Sequence, residues 1–100
     1  MDFVKNLVEG FEERNMSPVV VYGEDPLPVI RFKGADEGNC SLSVTISTGG
    51  IILRRVAGTN TTEQTFRFED IDESFFVLAR NHYDTIRSLV RMRDGRAGKT

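Results

Sequence analysis

Tryptophan is absent from this chain, cysteine and histidine occur once each, and there are only three prolines among 100 residues. Each scarcity closes a class of function. The lone thiol, Cys40, has no partner for an intrachain disulfide. A small domain that folds without that staple is expected in a reducing compartment, the cytoplasm. Zinc sites draw on three or four Cys, His or carboxylate ligands, and Cys40 and His82 are the only Cys and His. Neither a phosphate-cradling glycine loop ending in Lys-Ser/Thr nor a G-x-G-x-x-G between a strand and a helix is present. No metal and no cofactor is therefore expected. No uninterrupted apolar run exceeds five residues, against the ~20 residues a membrane helix needs, so no membrane partner is expected. Met1-Asp2-Phe3 opens on an acid, without the basic segment and apolar run of a secretory leader.

What is present suits one globular domain. Hydrophobic residues make up 39% and charged residues 28% of the chain, well away from the composition of disordered segments. Seven Phe against two Tyr predict a core built on phenylalanine. The net charge of −2 conceals an asymmetry. Residues 1–79 hold seven Lys/Arg against thirteen Asp/Glu, whereas residues 80–100 hold six against two. Ten of the thirteen basic residues are Arg, the side chain suited to carboxylate and phosphate recognition.

Hydrophobic periodicity changes twice along the chain. Phe3, Val4, Leu7, Val8 and Phe11 form one helical stripe after Asp2 as N-cap, with Gly10 a costly residue inside it. Asn15 suits the left-handed stop, and Pro18 forbids continuation. A period of two then predicts strands over Pro18 to Tyr22 (a buried one), Val29 to Lys33, Cys40 to Ser47, Ile51 to Val56 and Gln64 to Phe68. Cys40, Leu42, Val44 and Ile46 alternate with Ser41, Ser43, Thr45 and Ser47, the mark of a sheet with one dry face. Gly34 to Asn39 and Ala57 to Thr62 read as polar loops. Asp72 caps a second helix, with Phe76, Ala79, Tyr83, Ile86 and Val90 as its stripe and Ile71 as a staple on Phe76. That helix is expected to end between Met92 and Asp94, before Gly95. The domain then spans residues 1–94, followed by a flexible basic tail, 95–100.

These elements define an α+β fold: an N-terminal helix, a five-stranded antiparallel meander and a long C-terminal helix, both helices on one sheet face. The predicted core gathers Phe11, Leu42, Val44, Phe66, Phe68, Phe76, Ala79 and Ile86. The order of elements resembles that of the type III secretion chaperones and their sensory-regulator relatives. That resemblance implies a small acidic dimer that binds protein.

Catalysis finds little support. Cys40 falls on the inward side of its strand, where a thiol is a small core residue, and His82 flanks the helix stripe. Acids in Glu69-Asp70-Ile71-Asp72-Glu73 complement the amino end of a helix without needing an ion. Two basic surfaces remain. Arg31, Lys33, Arg54 and Arg67 are expected to converge on the open sheet face among hydroxyl residues, provided that strand four does not slip and exchange Arg54 for Arg55. Arg80, Arg87 and Arg91 line one side of the second helix. The reading is a non-enzymatic interaction module: a chaperone-like adaptor or a phage or mobile-element inhibitor. The expected partner is a protein, an acidic one suiting these cations. Surplus apolar positions, Phe75, Leu78, Leu89 and Met92, add the expectation of a homodimer. The alternative is a nucleic-acid-binding regulator using the helix Arg ridge, against which stands the acidic pI near 5.4.

Overall fold

The computed structural model describes residues 3–22 and 27–97, without the side chains of 93–97. The Asp2 cap, the turn beginning at Gly23 and the last three residues of the expected tail lie outside the described residues. The chain builds α1 (Phe3–Glu13), β1 (Pro18–Val21), β2 (Val29–Glu37), β3 (Cys40–Ile46), β4 (Ile51–Ala57), β5 (Asn60–Phe66), a single 3-10 turn (Phe68–Asp70) and α2 (Glu73–Ala97). The strands form one antiparallel sheet in the order β1-β2-β3-β4-β5. The expected α+β meander is thus the observed fold.

Helix α1 stops where its backbone can be satisfied. Asn15 adopts φ 57°, and the Met16 N–H donates to Phe11 O at 3.2 Å, closing the last turn over the buried Met16. Gly10 in its middle is explained by packing. A Cβ there would stand 2.5 Å from Phe76 Cζ, the far end of a ring that approaches the glycine closely. Asp72 caps α2 as expected: its Oδ1 accepts from the Ser74 N–H at 3.0 Å and the Phe75 N–H at 3.3 Å. The Ser74 hydroxyl donates to the same oxygen at 2.6 Å and contributes most, with the N–H bonds, to favouring the ionised carboxyl and holding its pKa below the ordinary carboxylate value.

The core lies between the helices and one sheet face. Ile30, Phe32, Leu42, Val44, Ile51 and Leu53 point up from the sheet, and Leu7, Phe11, Phe75, Ala79, Tyr83 and Ile86 point down onto it. Phe11 stands edge-on to Phe32 with ring centroids 5.0 Å apart, and Phe75 edge-on to Phe66 at 5.1 Å. No helix among the described residues is long and apolar enough to cross a membrane.

Several expectations need correction. Strand β2 continues to Glu37 and β5 begins at Asn60, so the two presumed loops are two-residue turns, Gly38-Asn39 and Gly58-Thr59. Each turn has Gly at positive φ first and a following residue without it, the pattern of a type II′ hairpin. Polar composition concealed these strand ends because neither sheet face of β5 is covered. Strand β1 is an edge strand rather than a buried one, with Val19 and Val21 each 39% exposed. Of the adjacent pair Phe75 and Phe76, it is Phe75 that joins Tyr83 as a buried ring of α2. Phe68 leaves the core for the surface, where it meets Phe3 edge-on at 5.1 Å. Backbone of α2 runs through Gly95 to Ala97, past the expected stop.

Candidate functional site

Antiparallel register decides which side chains share the uncovered face of the sheet. One cross-strand row reads Val19, Arg31, Ser43, Arg54 and Glu63, and the next reads Val21, Val29, Thr45, Ile52 and Thr65. The uncertainty in strand four is thereby resolved: Ile51, Leu53 and Arg55 face the helices, and Arg54 faces out beside Ser43. Arg31 and Arg54 therefore do share a surface, two strands apart.

Each already holds a carboxylate of its own chain. Arg31 Nη1 lies 3.3 Å from Asp36 Oδ1, and Arg54 Nε 3.6 Å from Glu63 Oε2. Both pairs are exposed, and such pairs contribute only about 0–1 kcal/mol, so their cations stay available for exchange. Arg67 lies beyond the end of β5, where it bonds Asp70 at 3.3 Å. The structure separates it from the Arg31 and Lys33 end of the sheet by the width of three strands. Lys33 is exposed on β2, next to Gly34 at φ 83°, in an irregular stretch where the register shifts between Arg31 and Asp36. That irregularity opens a shallow concavity of about 340 Å³, lined by Val19, Val21, Arg31, Lys33, Gly34 and Asp36. Two of the four predicted sheet-face cations thus line one hollow with an apolar wall.

The Arg ridge of α2 is divided. Arg80 and Arg87 flank Tyr83, their guanidinium carbons 5.7 and 5.8 Å from its ring centroid. Arg80 also bonds Asp84 at 3.0 Å and donates to the Arg14 carbonyl, tying α2 to the end of α1. Arg87 packs its side chain over Gly34. Of the three, Arg91 alone is exposed rather than half-buried. A row of cations free to meet phosphates is not what these positions form.

Cys40 and His82 also part company. Cys40 is buried at the start of β3, its sulfur 3.8 Å from Asn39 Oδ1. His82 Nδ1 instead accepts from Arg55 Nη1 at 3.1 Å, which assigns its proton to Nε2. Partial burial, reinforced by the Arg55 charge, lowers the His82 pKa. This Arg55–His82 contact escaped the sequence reading. Its one available signal was the parity of Ile51, Leu53 and Arg55, which places an arginine on the dry side.

Comparison with known protein families, characterised proteins and solved structures finds no match for this chain. Likeness in element order to the secretion chaperones therefore carries no argument about function.

Proposed function

We propose that this domain is a non-enzymatic protein-interaction module, an adaptor or a small inhibitor, that binds a carboxylate-bearing protein surface on its open sheet face. One observation carries the reading: the core elements lie on the opposite face, yet this face is not simply polar, and Ser43 at its centre is only 8% exposed between Arg31 and Arg54. Val21, Val29 and Ile52 form an apolar band beside a row of exchangeable ion pairs and the hollow at Val19, Arg31 and Lys33. An apolar centre beside charged groups is the anatomy of a protein interface. Partner carboxylates displacing Asp36 and Glu63 supply charge-assisted bonds and register.

The test compares two double variants in one binding assay at two salt concentrations, using the partner captured from the native cell. Arg31→Ala with Arg54→Ala is expected to weaken binding by roughly 2–5 kcal/mol if their pairs become buried, and nuclease treatment is expected to leave binding unchanged. If only Arg87→Ala with Arg91→Ala abolishes binding, and affinity falls log-linearly with salt and is lost to nuclease, the domain is a nucleic-acid binder instead.

A further inference from the structure

Two edges bound the sheet, and they are built differently. Strand β1 is four residues long, begins with Pro18 and follows a tight turn from α1. Shortness and proline are devices by which proteins blunt a sheet edge. Strand β5 has none of them. It runs seven residues, Asn60–Phe66, in unbroken register with β4, and contains neither proline nor lysine. Every residue but Phe66 is exposed, and nothing among the described residues pairs with its outer side.

Geometry fixes which backbone groups are free there. The two-residue turn makes Ala57 and Asn60 a hydrogen-bonded pair, and such pairs alternate along an antiparallel ladder. The N–H and C=O groups of Thr61, Glu63 and Thr65 therefore point away from β4. Arg67 keeps extended backbone, φ −75° and ψ 154°, so its N–H continues the edge one residue past the strand, while its C=O already accepts from the Asp70 N–H at 2.9 Å.

We infer that β5 pairs with β5 of a second copy, antiparallel about a twofold axis at Gln64, joining the two sheets into one of ten strands. Strand length and side chains together favour this register: a twofold at Thr65 would set Glu63 opposite Arg67 but pair only residues 63–67, because Phe68–Asp70 turn away as a 3-10 helix. A twofold at Glu63 would set two carboxylates directly opposite each other, which is destabilising. A twofold at Thr62 would place Phe66 against the turn glycine and leave Arg67 without an opposite residue. A twofold at Gln64 pairs residues 61–67 throughout: Glu63 lies opposite Thr65, Thr61 opposite Arg67, and Phe66 opposite Thr62. Glu63 then stands diagonal to Arg67 of the second copy on one side and to its Glu63 on the other, so the carboxylates are one row removed from direct opposition and each has a cation within reach. The half-exposed Phe66 gains cover. Association stops at two chains, because the remaining edges are the blunted β1 strands, so the contact closes. Strand pairing alone buries less than a standard protein interface, so the dimer forms at tens to hundreds of micromolar protein.

Sedimentation and light scattering across that range test the inference. The expected mass rises from 11.3 kDa towards about twice that value. Glu63→Pro removes an outward N–H without touching the β4 ladder and is expected to hold the chain at the single mass with its circular dichroism unchanged. Since proline could also disturb the strand, charge exchange supplies a second arm. Glu63→Arg and Arg67→Glu are each expected to weaken the dimer roughly tenfold, and the double variant to restore it. The amides of Glu63 and Thr65 are expected to gain hydrogen-exchange protection with concentration. A single-chain mass at hundreds of micromolar overturns the inference. So does a dimer indifferent to both sets of changes, which would place the contact on another surface. Partner binding on the open face is measured separately and stands or falls independently.

Discussion

Replacing Gly10 by alanine sets two known effects against each other, and the structure decides between them. Alanine in a helix interior is favoured over glycine by about 1 kcal/mol, so helix propensity alone predicts stabilisation. A Cβ at this position, however, would lie 2.5 Å from Phe76 Cζ and 2.6 Å from Cε1, where ordinary contacts begin near 3.4 Å. The ring must retreat by nearly an ångström. It is held on several sides: edge-on to Phe11 at 5.3 Å, against Phe75 at 5.5 Å, and beneath the Arg14 guanidinium at 4.6 Å. Forced repacking of this kind costs about 1–3 kcal/mol. The net expectation for Gly10→Ala is a loss of about 1 kcal/mol, a fall in Tm of about 4–8 °C for a domain of this size. In a Phe76→Ala background the obstacle is gone, and the same substitution is expected to stabilise by about 1 kcal/mol. Urea unfolding of the four proteins gives a coupling near 2 kcal/mol, well above the additivity error of separate sites. If Gly10→Ala stabilises both backgrounds equally, the ring does not rest on the glycine and the helix interface is wrongly described.

Two further outcomes test the core and the part-buried Arg55–His82 contact between β4 and α2. Phe75→Ala removes a ring that is 2% exposed and is expected to cost about 3–5 kcal/mol in chemical denaturation. Phe68→Ala, at the surface, is expected to cost much less, and equal losses would contradict the placement of either ring. His82 titrates below its ordinary pKa of 6.5 in the folded state. The unfolded chain therefore binds the proton first, and this contribution to stability is complete above pH 6.5 and lost as pH falls through 6.5 towards the folded pKa. Thermal melts between pH 7.5 and 5 are expected to show that decline, and His82→Gln to flatten it. A His82→Gln profile identical to the wild type would remove the part-buried His82 as its source.

Local pattern along the chain was sufficient for the element order. The stripe of α1, the alternation of β3, and the Asp72 cap each depend on neighbours in sequence, and each formed as the residues dictate. The lone cysteine's burial followed from the same alternation. What local pattern could not supply was everything set by pairing. Strand β5 has no apolar alternation, because it faces solvent on both sides, so its start was legible only through the Gly58-Thr59 turn that registers it on β4. That register, not the sequence of β4 alone, sends Arg54 outward to Glu63 and Arg55 inward to His82. Tertiary packing likewise chose Phe75 over Phe76 for the core and made Gly10 a seat for an aromatic ring, since only the crossing of α1 and α2 brings those residues together. Composition fixed the kinds of side chain available for recognition. Which of them stand side by side, and which carry a carboxylate partner already, was settled by cross-strand neighbours remote in the chain.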